Sequence, residues 1–227
     1  MPDLAFAGLW ITITLTCYVV SLWLFKRTGN NVILHPILVS AALVLVVVYA
    51  SKQAVVDVVD SIYVLHWLLG PTTVALAIPI YRQVALVKQL GMRLFFPIVV
   101  GGFLAPFTAW GILALYNSPD TLQLTILTKS ITTPLAMDTA ALIGGIPTIA
   151  AIIVIITGIV GAICAKLLYR LCRIKEDAVK GLMLGIFAHG IGTSQALQIS
   201  ERAGAFASLA LGINGILTAG ILSVLFA

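Results

Sequence analysis

Hydrophobic positions in this chain fall in long runs, with little of the alternation that marks strands. Residues 4–25, 32–50, 95–116, 146–168 and 203–227 are almost wholly apolar. Each run is long enough, as a helix, to reach across the ~30 Å hydrocarbon layer of a bilayer. Three more apolar segments are interrupted. Residues 52–81 carry Gly70–Pro71, residues 121–145 carry Thr132–Thr133–Pro134, and residues 181–200 carry AHGIGTSQ, 188–195. The pattern predicts an all-α polytopic membrane bundle with broken helices.

Composition agrees. Of 227 residues, 61% are hydrophobic and 9% charged, with mean hydropathy +1.13. A soluble domain carries about 25% charged residues, so a soluble fold is excluded, and one membrane domain over 1–227 is expected. The first run follows Asp3 with no basic leader and is too long for a signal-peptide core, so it reads as a retained span. Cys17, Cys164 and Cys172 have neither disulfide nor zinc spacing and read as small apolar fillers.

Charge then orients the spans. Ten of the thirteen basic residues lie in three groups: Lys26 and Arg27; Arg82, Lys88 and Arg93; and Lys166, Arg170, Arg173, Lys175 and Lys180. The groups are short and flank spans, which argues against nucleic acid and for cytoplasmic loops. The N-terminus is then external. Residues 95–116 lead outward to NSPD (117–120), and residues 146–168 return inward. Residues 121–145 must therefore come back to the side they left. Split at Thr132–Pro134, each half is ~12 residues or ~18 Å of helix, too short to cross. A re-entrant hairpin is expected, tolerated at depth only where it is buried in protein or lines a polar cavity. Residues 181–200 are taken as one interrupted crossing, which places Glu201 and Arg202 at the external boundary. The total is about six crossings plus the hairpin.

The breaks are the candidate chemistry. Pro134 suits the start of a helix and pushes Thr133 toward extended backbone, so Thr132 or Thr133 can cap the half-helix that follows. Its free N–H groups and positive dipole end suit an anion, and Lys129 adds a full charge. Gly70, Pro71, Thr72 and Thr73 form a similar break. TTVALA (72–77) and TTPLA (132–136) match with one residue deleted, suggesting an internal inverted repeat with units of about 52–116 and 119–171. Paired broken segments of this kind point to a transporter binding site. Lys129 can face substrate, pair with Asp138, or snorkel to the surface. Asp138 would repel an anion, so it reads as a coupling or structural residue. At the third break, His189, Gly190, Gly192 and Thr193 are candidate binding residues. His189 is either a hydrogen-bonded core group or a proton carrier. Asp57 and Asp60 read as an external rim. No HExxH, GxSxG or paired-aspartate motif is present, so no enzyme, cofactor or metal is expected.

LGPTTVALAIPIY, KSITTPLAMD, AHGIGTSQAL and ERAGAFASLALGINGILTA together resemble the LrgB/CidB family of bacterial inner-membrane proteins, over essentially the whole chain. The resemblance implies an inner-membrane location and a small LrgA/CidA-like partner. It also implies two functional expectations. One is holin- or antiholin-type control of murein hydrolase export or activity. The other, from chloroplast relatives that fuse LrgA-like and LrgB-like parts, is movement of glycolate, glycerate or pyruvate-like monocarboxylates. No site residue carries over from it. The reading of the breaks favours the transporter, and a homodimer is expected as scaffold for the short segments.

Overall fold

The computed structural model describes residues 4–29, 31, 34–68, 71, 74, 81 and 84–226. Among these, regular structure is helical and no strand occurs. Four helices are long and apolar enough to span a bilayer, or five if one bent pair counts as a span. The expected six crossings are not reached among the described residues. The chain divides into two compact units, Met1–Thr72 and Thr73–Ala227.

In the first unit, α1 (Leu4–Arg27) ends on Lys26 and Arg27. The Arg27 guanidinium lies 4.2 Å over the Trp23 ring, a favourable position for a cation at a span end. Helix α2 (Pro36–Ala50) starts on Pro36, with His35 as its cap accepting the Ile37 N–H at 3.4 Å. It turns by 119° into α3 (Val55–Ser61), which is followed by α4 (Tyr63–Trp67). Trp10, Val48 and Val58 form the core that joins α1, α2 and α3. Asp57 and Asp60 are exposed on α3. Gly70, Thr72 and Thr73 lie outside the described residues, and Pro71 is exposed.

The second unit holds α5 (Val84–Leu90), α6 (Met92–Leu115), α7 (Asp120–Ile126), α8 (Thr133–Leu142), α9 (Pro147–Leu171), α10 (Asp177–Phe187), α11 (His189–Ile199) and α12 (Glu201–Phe226). Three of these run in one direction. Leu94 and Ile98 of α6 pack with Phe206, Leu209 and Ala210 of α12, and farther along, Gly102 meets Asn214. Gly181 and Gly185 of α10 lie against the backbone carbonyls of Ala203 and Ala207 of α12, so close that a Cβ on either glycine would overlap them. Such contact needs small residues on both helices, and α12 supplies alanines. Helix α9 runs the other way. Its Gly161 faces Phe187 and Ala188 at the end of α10, while Tyr169 near its own end donates to Lys180 O near the start of α10, at 3.0 Å.

The short helices α7 and α8 form the expected hairpin. Thr125 Oγ1 accepts the Ile146 N–H at 2.8 Å, and the Thr125 backbone presses on Gly145. The chain therefore leaves α7, turns through 127–132, and comes back along α8 to the level of Thr125 before α9 begins.

A second hairpin corrects the expected topology. Residues 181–200 do not make one crossing. Helix α11 folds back on α10, with Gly192 seated against the Leu184 carbonyl. Ser200 Oγ accepts the Ala203 N–H at 3.1 Å, and the Ala203 carbonyl lies against Gly181, so the hairpin closes at its base. The turn is made at Ala188–His189, where His189 has φ +36. Glu201 thus starts α12 at the same end as Asp177 and Lys180, and not at the opposite boundary. The segment misled because its 20 residues match a span in length. Its glycines are what allow the return.

Candidate functional site

The two hairpins stand at opposite ends of α9, and their tips meet beside its middle. Ile131, at the first tip, packs with Ala150 and Val154 of α9 and with Ala136 and Ala140 of α8. His189, at the second tip, lies against Gly158, where a Cβ would come within 2.7 Å of its Cε1, and interacts with the Val154 backbone. Across the bundle, Leu135 at the start of α8 reaches Gly215 of α12.

The first tip is built by Pro134. Thr132 is extended (φ −68, ψ 151) and occupies the cap position, Thr133 is the first helical residue, and Pro134 follows. Thr132, not Thr133, is therefore the extended residue. Thr132 makes no side-chain cap bond. Ala136 N–H is the first to reach a helix-type acceptor, Thr132 O at 2.8 Å, so Thr133 and Leu135 carry free donors of the first turn. Thr132 Oγ1 and Ser130 Oγ are both buried without a hydrogen-bond partner. Buried polar atoms seldom stay unpaired, and each calls for an explanation such as an unplaced water or ligand.

Lys129 is half-buried and precedes this tip. Asp138 is exposed on α8, and among the described residues the one ion pair is Lys180–Asp177 at 2.9 Å. A Lys129–Asp138 pair, one of the alternatives raised by their spacing, is not formed: Asp138 lies on the exposed face of α8, while Lys129 is half-buried within the turn before it. The Lys129 charge acts instead on His189.

His189 is 3% exposed, and its Nε2 is buried without a partner. It is therefore not a fully satisfied core histidine. Thr193 Oγ1 donates to the His189 carbonyl at 2.9 Å, holding the first turn of α11. Gly190 is exposed with open space where a Cβ would go, and Gly192 packs the turn against α10. The structure so brings Lys129, Thr132, Thr133, His189, Gly190 and Thr193 to the two tips, leaves Asp138 on an open face, and gives Gly192 and Pro134 the work of shaping backbone.

Sequence reasoning missed Asn214. It is 2% exposed in the middle of α12, and its Nδ2 donates to Ser130 O at 2.8 Å. Its Oδ1 lies 3.3 Å from Thr218 Oγ1. The signal was a lone amide inside an apolar run. Near the opening of the second hairpin, hydrogen bonds from Lys180 and Ser200 hold the Asp177 carboxyl below the ordinary aspartate range. Arg93, Arg173, Lys175 and Lys180 share that end of the unit.

With hydroxyls, free N–H groups and one ammonium gathered at two broken helices, the arrangement suits recognition of a small anion. The LrgB-like family profile matches residues 14–227. The chain belongs to the LrgB-like family. Holin-like protein CidB of Staphylococcus epidermidis is 30% identical over 222 residues, covering 96% of this chain and 95% of CidB. Antiholin-like protein LrgB of Bacillus cereus is 26% identical over 208 residues, 92% of this chain and 90% of that one. Protein YwbG of Bacillus subtilis is 32% identical over 151 residues, 66% and 67% of the two chains. No solved structure matches. The LrgB-like match reaches from α1 to the end of α12, so both hairpins lie within it.

Proposed function

We propose that this LrgB-like chain is a bacterial inner-membrane transporter of small monocarboxylates of the glycolate, glycerate or pyruvate type. The carboxylate is held mid-membrane between the two hairpin tips. The observation that carries the reading is the set of three buried, unpartnered polar atoms, Ser130 Oγ, Thr132 Oγ1 and His189 Nε2, near a lysine with no carboxylate partner. Buried unpaired groups of this kind are costly. An anion between them supplies acceptors for the hydroxyls and a counter-charge for Lys129. The basic end of the second unit faces the cytoplasm, and Lys26–Arg27 at the end of α1 puts the N-terminus outside. The two hairpins, hung from opposite ends of α9, are inverted relative to each other, an arrangement that suits alternating access; they are a different pair from the 52–116 and 119–171 units. No bond is made or broken in this scheme. The same chain works as a homodimer, with an LrgA-like protein as a further partner.

A second reading has its own support. The relatives are named holin-like and antiholin-like, and those names favour a pore-forming or regulatory component acting on murein hydrolases over a monocarboxylate transporter. Proteoliposomes separate the two. Transport predicts saturable uptake of labelled glycolate or glycerate without leakage of a trapped dye. It also predicts that Lys129→Met folds normally and loses uptake, because no partner carboxylate is stranded. Dye leakage independent of substrate, with no saturable uptake, would overturn the transporter in favour of the holin-like reading.

A further inference from the structure

We propose that Asn214 is the positioning residue of the first hairpin tip: its side-chain amide replaces the backbone N–H that Pro134 lacks, and so holds the helix open at the site. The inference rests on the transport reading for its consequence and on geometry for its substance. In an unbroken helix the carbonyl of Ser130 would accept from the N–H of residue 134. That residue is proline, which has no N–H. Ser130 O would then be an orphan acceptor in the middle of the membrane, a cost of several kcal/mol in hydrocarbon.

Asn214, on a helix 84 residues away in sequence, meets it. A carbonyl only accepts, so the amide must present its NH2 there, and Nδ2 lies 2.8 Å from Ser130 O. The other end of the amide is then fixed as Oδ1, which faces Thr218 Oγ1 at 3.3 Å. Gly102 of α6 backs the same group, and a Cβ on Gly102 would overlap Oδ1. The tip carbonyl and Thr218 thus agree on one orientation of the side chain, and α6 holds it in place from behind. The bond is spent on the carbonyl of Ser130 and leaves its hydroxyl, like that of Thr132, without a partner in the chain. Asn214 so keeps the tip unwound while leaving its hydroxyls free for a ligand.

The test uses the full chain, purified for melting and hydrogen exchange and reconstituted for glycolate uptake. Asn214→Leu keeps the approximate volume and loses both polar ends; Asn214→Ala loses the volume as well. Expected in each is faster exchange over residues 131–136 and a rise of about tenfold or more in KM, the scale of one buried acceptor left unpaired. Gly102→Ala, which pushes on the amide from behind, should give the same direction of change. The decisive variant is Asn214→Leu with Pro134→Ala, in which residue 134 regains an N–H and the helix can heal. A positioning role predicts recovered melting temperature with uptake still lost. Recovery of both would show a merely structural bond and overturn the proposal. So would unchanged tip exchange and unchanged KM in Asn214→Leu. If the wild-type chain takes up no carboxylate, the transport reading fails, and the exchange data still decide whether Asn214 holds the tip.

Discussion

The return of α11 along α10 makes a prediction of large geometric contrast. Were residues 177–199 one straight helix, its ends would be ~33 Å apart at 1.5 Å per residue, about the thickness of the hydrocarbon core. In the structure, Ser200 Oγ accepts the N–H of Ala203, whose carbonyl lies against Gly181, so residue 200 has returned to the start of α10. A disulfide forms only when two Cα atoms come within about 7 Å, so a straight helix would miss that limit more than fourfold. With Cys17, Cys164 and Cys172 replaced, Asp177→Cys with Ser200→Cys should oxidise readily. Trypsin cuts after Lys175, Lys180 and Arg202, so mass spectrometry should find peptides 176–180 and 181–202 joined. In sealed vesicles, Glu201→Cys and Lys175→Cys should react with an impermeant maleimide from the same face. Labelling of Glu201→Cys from the face opposite Lys175→Cys, without the disulfide, would refute the second hairpin and restore a simple crossing.

Two further outcomes follow from the hairpin bases. Thr125 Oγ1 donates to Thr121 O at 2.5 Å and accepts from Ile146 N at 2.8 Å. Thr125→Val removes both bonds and should cost ~1–3 kcal/mol in a denaturation series, while Thr125→Ser should recover most of it. Asp177, held below the ordinary aspartate range by Lys180 and Ser200, stabilises the fold above the unfolded-state value of about 4. That stabilisation is lost as pH falls through the lower folded value. Melting curves between pH 3 and 7 should show this acid-side loss in the wild type and a flatter profile in Asp177→Asn; equal slopes would count against the contact.

The first hairpin was legible because its signals were chemical. A proline behind two threonines marks a helix start, and the fixed sides of the neighbouring basic clusters left no room for another crossing. The second was hidden because apolar length alone cannot distinguish one 20-residue span from two half-length arms. The difference lies in Gly181, Gly185, Gly192 and Gly204, whose value depends on what lies opposite. Lys129 and Asp138 are close in sequence, which made an ion pair plausible, yet Asp138 lies on the exposed face of α8 and Lys129 is half-buried within the turn before it. Asn214 escaped notice because its partner is a carbonyl on a distant segment, and a carbonyl leaves no mark in the sequence. Of the Gly70–Thr73 break, Gly70, Thr72 and Thr73 lie outside the described residues.

The position of α12 in chain order bears on biogenesis. The ribosome delivers both hairpins before the helix that seats them. Arms of 7 to 11 residues are too short to be released into lipid as independent spans. They must wait, shielded by α6, α9 or the insertion machinery, until α12 arrives with the alanines that receive Gly181 and Gly185 and the amide that receives Ser130. The first tip therefore gains its full set of contacts only once α12 is in place. A nascent chain stopped before Ala203 holds every residue of the two tips and the α9 face they pack on, but lacks the alanines that receive α10 and the amide that receives Ser130.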